Sequence, residues 1–315
     1  MLAVTRRGAY LSPDGLAYVG TARNLLDGAG FSLPPGSPPL GNFPPVYPLI
    51  LAAFGALGPD PLTVARFVGP VAFGATILVV GLLVRQLTGS MPLAVLAQLL
   101  VFTGTDFLAY HSAALSEPVF LLLALVTLAA LGGCLTKRRS LLLLAAALLA
   151  GAACLTRYVG LAVVAAGALG LVLLASRRAD GRYHWRGAIA FGALALAPLF
   201  GWLAWVSGEM GRATNREAVF HAPGLAYVTR GLRNASTWVL PAQAPTPVRF
   251  TAAALAVVAL VVVAWRTRHH ARRPGGLAGL LALFAVAYLA ALAVDRMFFD
   301  VTGRLDSRFL LPVHV

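Results

Sequence analysis

The chain has 315 residues, of which 59% are hydrophobic and only 11% are charged. Soluble domains use about 45–50% apolar residues, so this composition excludes a soluble globular protein and predicts an integral membrane protein. The formal net charge is +14. The basic residues cluster in short loops between apolar runs, as membrane topology demands, so we do not interpret this charge as a nucleic-acid-binding surface.

The chain opens with a polar stretch, residues 12–48, that cannot cross a bilayer. It carries Asp14 near its start, a helical pattern at 15–26, a glycine-rich break at 27–30 and a proline-rich section at 34–48. Residues 47–57 are apolar, but about eleven residues at 1.5 Å each are too short to span roughly 30 Å. We therefore predict an interfacial or re-entrant helix there.

Long apolar stretches follow and predict an all-α polytopic membrane protein with about eight transmembrane helices. The predicted spans are residues 64–84, 92–107, 114–133, 141–155, 158–175, 188–206, 252–265 and 277–294.

The loops between these stretches alternate in charge. Every second short loop is basic, and these four loops hold twelve basic residues, whereas the intervening short loops hold one, Arg157. The positive-inside rule places the basic loops in the cytoplasm. Every acidic residue except Asp180 then lies outside or at the outer end of a span. We expect any chemistry to occur on the outer face. The twelve are Arg85, Lys137, Arg138, Arg139, Arg177, Arg178, Arg182, Arg186, Arg266, Arg268, Arg272 and Arg273.

The predicted organisation is a single transmembrane domain. It comprises an external loop with interfacial helices (1–62), six spans (63–206), an external loop (207–249), two further spans (250–297), and an external loop with the start of another span (298–315). We expect a fragment, because a helix should precede the opening loop to anchor it and residues 309–315 resemble the start of a span.

Three charged residues stand out against the apolar background. Asp14 follows Ser-Pro at a helix start, where an acid can cap the helix or act on a substrate. Glu117 lies at the outer mouth of a span, where a carboxylate must be solvated, paired or functional. Arg157 interrupts an apolar hairpin at its outer turn. Its guanidinium suits a lipid phosphate, but an ion pair with Glu117 or Asp106 is the alternative.

Asp106 and His111 lie close to Glu117 in the sequence. Together the three could contact a substrate or hold a divalent cation, but their spacing is loose. We assign them as substrate-binding residues and assign no metal ligands. A divalent cation is left open as a cofactor.

Five motifs occur together in one order. They are SPDGLAYVGTARNLLDGAGFS, PPVYPLILA, ALSEP, LTRYVGL and SRFLLPV. This series resembles the GT-C superfamily of membrane glycosyltransferases. Within it, the chain is most similar to bacterial and archaeal relatives of the dolichyl-phosphate-mannose protein mannosyltransferases and the lipid A aminoarabinose transferase.

The resemblance implies inverting transfer of a sugar from a polyprenyl-phosphate donor to an acceptor at the outer side of the plasma membrane. It places Asp14 as the catalytic base in the first external loop. We assign Tyr18 and Tyr47, which lie in the same loop region, as substrate-binding residues. The resemblance places Arg304 and Arg308, together with Arg157, around the donor phosphate. Many relatives carry a second acid directly after the catalytic one, whereas Gly15 stands here. That departure puts in doubt any metal bound by such a pair.

Two other classes of function remain as alternatives. A transporter or flippase would be expected to place polar residues or broken helices near the bilayer midplane, and the predicted spans have few. A non-catalytic GT-C-like membrane protein would keep the fold and lose transfer. The expected partners are the polyprenyl-phosphate sugar donor, membrane lipids and an acceptor that the sequence does not specify, with no nucleic acid.

The predicted orientation is testable by labelling. Ser37 lies in the opening loop and Ser140 follows a basic loop. In intact cells, an impermeant thiol reagent should label Ser37→Cys and leave Ser140→Cys unlabelled, because the basic bias fixes the orientation. The reverse pattern would overturn the topology.

Overall fold

The computed structural model describes residues 1–314 except 3, 4, 7, 138, 175–181, 213–217, 223, 241, 242, 268–274 and 300–306. The prediction of an all-α protein is confirmed, since the described residues form helices with two isolated β-bridges. The helices are α1 (Pro13–Leu26), α2 (Val46–Gly55), α3 (Pro61–Thr88), α4 (Met91–Thr103), α5 (Thr105–His111), α6 (Glu117–Lys137), α7 (Ser140–Thr156), α8 (Leu161–Leu173), α9 (Arg182–Met210), α10 (Leu225–Ser236), α11 (Thr246–Thr267), α12 (Gly275–Phe298) and α13 (Ser307–His314), with a 3-10 turn at Tyr158–Gly160.

These helices form two compact units. The first consists of Met1–Glu217 and Gly275–Ala291, and the second of Ala218–Pro274 and Leu292–Val315.

Local signals determine where the first helices start. The Ser12 hydroxyl accepts a hydrogen bond from the Gly15 amide at 3.1 Å and caps α1, while Pro13 occupies the first turn, where its missing N–H costs nothing. Asp60 caps α3 in the same way through the Leu62 amide at 2.8 Å. Helices α1, α2 and α3 then pack together through a shared apolar cluster. Its buried members include Tyr18, Val19, Ala22, Tyr47, Leu51, Val64 and Ala65.

Four helices of the described residues are long and apolar enough to cross a membrane, namely Pro61–Thr88, Glu117–Thr136, Trp185–Met210 and Gly276–Phe298. A fifth candidate joins α4 and α5, which bend by 61° at Gly104. The sequence predicted one continuous span there. Helices α7 and α8 are apolar but shorter than a full span. The total of eight spans stays a prediction.

Small residues let the helices of the first unit approach closely. Ala146, Ala147 and Ala150 are fully buried on α7. A Cβ added at Gly151 would lie 3.0 Å from the Ala195 carbonyl oxygen of α9. Close backbone contact of this kind replaces the hydrophobic effect as the cause of helix association inside a bilayer.

The second unit is held together around the end of α12. The Val219 and His221 amides donate hydrogen bonds to the Phe298 and Met297 carbonyls at 2.9 and 2.7 Å. The Trp238 ring stacks on His314 of α13 with 4.6 Å between the ring centroids. This unit therefore joins α10, α11, α13 and the last residues of α12.

The tightest close approach is at Gly69 of α3. An added Cβ there would come within clashing distance of the His111 carbonyl, so Gly69→Ala must displace backbone from α3 or α5. We expect a loss of about 1–3 kcal/mol, the usual cost of overpacking, measured as a lower Tm in detergent.

Gly74→Ala provides the matched control on the same helix. No atom lies within 4 Å of a Cβ added at Gly74, so this variant should be neutral or more stable. Equal effects of the two substitutions would show that α3 does not depend on the contact with His111.

Candidate active site

The starts of α1 and α6 are held side by side by backbone pairing. The Tyr10 amide donates to the Ser112 carbonyl at 3.2 Å, and the Ala114 amide donates to the Tyr10 carbonyl at 2.9 Å. This parallel bridge lies shortly before Asp14 in α1 and Glu117 in α6. The first turns of the two helices, each with its acidic residue, are thereby brought together.

A buried polar cluster lies at this junction. Arg157 Nη1 forms an ion pair with Glu117 Oε1 at 2.7 Å and donates to Ser116 Oγ at 3.2 Å. The Tyr18 hydroxyl contacts the same Ser116 Oγ at 3.0 Å. The Glu117 side chain is 4% exposed and that of Arg157 is 17% exposed. The cluster therefore joins α1, the start of α6 and the turn after α7.

The local backbone aims Arg157 into this cluster. Arg157 is the extended residue between the end of α7 and the 3-10 turn at Tyr158–Gly160, with φ −151° and ψ 135°. Its amide still bonds to the Ala153 carbonyl at 2.9 Å, and its carbonyl accepts from the Gly160 amide at 2.8 Å. A single extended residue between two helical segments is thus fixed on both sides, which limits the directions that its side chain can take.

Tyr18 and Tyr47 lie in the aromatic packing behind the cluster. The Tyr18 ring makes edge contacts with Phe43 and Tyr47, at centroid distances of 5.0 and 5.1 Å. Burial raises the pKa of Tyr18 to about 12; the Arg157 cation lowers this pKa, and the Glu117 and Asp14 carboxylates raise it. Burial likewise raises the pKa of Tyr47. Both hydroxyls are therefore neutral at physiological pH.

The two tyrosines are 3% and 1% exposed, so direct contact with a substrate would require them to move. Their assignment as substrate-binding residues stays a prediction.

Asp14 occupies the first turn of α1, one helical turn before Tyr18, and is partly exposed. The oxygen that caps α1 belongs to Ser12, so this cap does not need the Asp14 carboxylate. Gly15, the next residue, is buried, and a Cβ there would lie 2.9 Å from the Ala114 carbonyl oxygen. A second acid at this position would therefore displace α1 or the segment before α6.

The sequence analysis missed an anchor for the proline-rich loop. The Tyr158 hydroxyl donates to the Gly41 carbonyl at 2.7 Å and accepts from Trp202 Nε1 at 3.0 Å. The Phe31 ring contacts Trp202 edge-on at 4.9 Å. The residue next to Arg157 thus connects the loop to α9. The sequence offered one signal for this anchor, the position of Tyr158 beside Arg157. The pattern of the proline-rich loop and the apolar run of α9 do not predict that they meet at Tyr158.

Two further predicted residues belong to α5. Asp106 lies in the first turn of this helix and His111 ends it. His111 is fully buried, its Nδ1 lies 2.7 Å from the Phe107 carbonyl oxygen, and its ring contacts Phe73. Among the described residues no group of three or more His, Cys, Asp or Glu side chains could hold a metal ion. The roles predicted for Asp106 and His111 remain untested.

The structure describes one of the two late arginines. Arg304 lies outside the described residues. Arg308 belongs to α13 in the second unit, where its guanidinium lies 5.6 Å from the centre of the Phe309 ring. Their assignment to the donor phosphate stays a prediction.

Comparison with known proteins gives one family and one related structure. The family described as dolichyl-phosphate-mannose-protein mannosyltransferase matches residues 42–205, just over half of the chain. This match includes Glu117, Arg157 and Trp202 but begins after Asp14. No curated protein matches the chain.

The related structure is the crystal structure of ArnT from Cupriavidus metallidurans bound to undecaprenyl phosphate. It is 16% identical, the TM-score is 0.67, and the match covers 99% of this chain and 55% of that one. The chain thus has the ArnT-like GT-C fold and spans about half of the length of that protein.

The burial of the Arg157–Glu117 pair predicts the cost of removing one of its two partners. Glu117→Ala leaves a largely buried guanidinium without this carboxylate and should cost about 3 kcal/mol of unfolding free energy. The control is the exposed pair of Arg23 and Asp60, 2.9 Å apart with both side chains about half exposed. Arg23→Ala should cost at most about 1 kcal/mol. Thermal denaturation of both variants in one detergent tests the contrast, and similar losses would contradict it.

Proposed function

We propose, from the premise that this chain belongs to the dolichyl-phosphate-mannose-protein mannosyltransferase family, that it is an inverting glycosyltransferase. It transfers a sugar from a polyprenyl-phosphate-linked donor to an acceptor lipid, glycan or protein at the extracytoplasmic side of the plasma membrane. The observation that carries the proposal is the cluster in which Arg157 meets Ser116 and Glu117 beside the helix of Asp14.

Asp14 is proposed as the base of the transfer. An acceptor hydroxyl attacks the anomeric carbon, the bond from that carbon to the phosphate oxygen breaks, and the polyprenyl phosphate leaves. The attacking hydroxyl must lose its proton, and a positioned carboxylate takes it. Asp14 suits this role because it is partly exposed at the first turn of a capped helix, where its backbone is fixed.

Arg157 is proposed to bind the donor phosphate. The phosphate gains negative charge as the glycosidic bond breaks, and a nearby guanidinium stabilises that charge. Arginine suits phosphate because its planar fork donates two parallel hydrogen bonds. In this role Glu117 and Ser116 position the guanidinium, since both contact Nη1. The crystal structure of ArnT holds undecaprenyl phosphate, which supports a lipid of this class as the ligand here.

The decisive experiment supplies the donor directly. Membranes that contain the full-length protein are incubated with a panel of polyprenyl-phosphate sugars, and donor consumption is followed by mass spectrometry. Consumption of one donor with release of polyprenyl phosphate supports the enzyme. A non-catalytic relative would bind a donor without consuming it, and a flippase would move it across the bilayer intact.

Asp14→Asn tests the base. Asparagine keeps the shape of the side chain but cannot accept the proton, so transfer should fall by about 10²- to 10⁴-fold. Donor binding and Tm should barely change, because the capping oxygen comes from Ser12. The control is Ser12→Ala, which removes the cap and should lower stability by about 1 kcal/mol while sparing the chemistry. Transfer by Asp14→Asn within a few-fold of the parent would reject this assignment.

Arg157 substitutions test the phosphate contact. Arg157→Ala should weaken donor binding more than Arg157→Lys, since lysine keeps the charge and loses only the fork. The loss of a charge-assisted contact should cost on the order of 1.5–3 kcal/mol of binding free energy. Binding is measured by titration of a polyprenyl-phosphate sugar into the purified protein.

A double variant separates binding from folding. Arg157→Ala with Glu117→Ala removes both charges and leaves neither partner buried alone, so the fold should be less disturbed than by either single change. If Arg157 binds phosphate, the affinity stays low in the double variant. Recovery of parental affinity there would show that the arginine is structural.

A further inference from the structure

Helix α10 presents an apolar stripe that is exposed among the described residues. Leu225, Val228 and Leu232 are 84%, 51% and 54% exposed. Their spacing of three and four residues places them on one face of the helix. Val239, which follows the helix, is 44% exposed as well. Single exposed apolar residues are ordinary, but an aligned set marks a surface that meets another apolar phase.

Helix α10 packs against other elements of the second unit, so the stripe cannot rotate inwards. Gly231 and Ser236 are buried, and α10 contacts both α11 and α13. The Arg296 guanidinium at the end of α12 lies 5.5 Å from the centre of the Tyr227 ring. The exposed stripe is therefore a fixed feature of this unit.

The charged residues of α10 are both basic. Arg230 and Arg233 are exposed; by the helical repeat of 3.6 residues, Arg233 flanks the apolar stripe and Arg230 lies farther round the helix. Residues 218–265 contain no Asp or Glu. Arg230 and Arg233 lie in the long loop, residues 207–249, that the sequence predicts to be outside, where the positive-inside rule does not account for arginines. These arginines need another explanation.

The position of α10 in the chain brings it close to the membrane. Helix α11, with its apolar run, begins at Thr246, ten residues after α10 ends at Ser236. Arg249 adds a third cation in the first turn of α11. A short amphipathic helix with a cation beside its apolar face, followed by a predicted membrane span, has the pattern of a helix that lies in the bilayer interface.

We propose that α10 is a docking surface for anionic phospholipids. Leu225, Val228 and Leu232 enter the boundary between headgroups and acyl chains, Arg233 binds lipid phosphates at the flank of the stripe, and Arg230 adds positive charge close to the membrane surface. The one-sided charge favours an anionic lipid surface over a zwitterionic one, because arginines near such a surface each strengthen attachment. This inference does not depend on the proposed catalytic activity.

The test uses the full chain in nanodiscs. Val228→Cys, in a background with Cys134→Ala and Cys154→Ala, is labelled with an environment-sensitive nitrobenzoxadiazole dye. The discs contain phosphatidylcholine alone or with phosphatidylglycerol, and spin-labelled lipids quench any dye that enters the bilayer. We expect stronger quenching and bluer emission with phosphatidylglycerol, and a decline of this difference as the salt concentration rises.

Charge variants supply the matched comparison. Arg230→Gln with Arg233→Gln should remove the effect of phosphatidylglycerol, with the docking equilibrium weakened on the order of 25-fold, or about fivefold for each arginine. The control is Arg6→Gln with Arg212→Gln, which removes the same charge from two exposed positions outside α10 and should leave docking intact.

Three outcomes would overturn the proposal. Emission typical of water in both types of disc would show that α10 does not touch the bilayer. Quenching that is equal with and without phosphatidylglycerol, and equal in the parent and the Arg230→Gln, Arg233→Gln variant, would show that α10 docks through its apolar residues alone. Blue-shifted emission that spin-labelled lipids cannot quench would indicate a protein partner, and a mass of two chains per disc would identify a second copy.

Discussion

The ion pair of Arg157 and Glu117 is the contact on which the first unit depends. It joins the turn after α7 to the start of α6, and Ser116 extends it to Tyr18 of α1. Two charges with little exposure are stable together and costly apart. The pair therefore fixes the relative positions of three segments that are distant in the sequence. It also holds the Arg157 cation in a defined position beside Ser116 and the helix that carries Asp14.

Features determined by nearby residues were predictable from the sequence. Helix α1 begins at Pro13 because Ser12 can cap it, and these signals are adjacent in the chain. The sequence predicted that Arg157 either binds a lipid phosphate or forms an ion pair with Glu117 or Asp106, because an isolated charge in an apolar hairpin must find a partner. The ion pair with Glu117 was therefore one of the expected contacts. The resemblance to membrane glycosyltransferases is confirmed by the family match and by the fold.

Features that depend on distant contacts were not predictable. The hydrogen bond from Trp202 to Tyr158 joins positions 44 residues apart. The spacing of hydrophobic residues along the sequence carries no information about such a contact. The bend at Gly104 was hidden because the residues on both sides are apolar, so the run appears continuous. The burial of Tyr18, Tyr47 and His111 was also missed. Their motif positions indicated proximity to a site but carried no information about exposure.

Gly15 has a consequence for how this site can change over time. Its hydrogen atoms face the Ala114 carbonyl, and the space between helix and loop is too small for a side chain. An acidic residue beside Asp14 requires a shift of α1 or of the segment around Ala114. The order of substitutions is therefore constrained. Loop changes that are neutral by themselves must come first, and a lineage without them stays confined to a single carboxylate at this position.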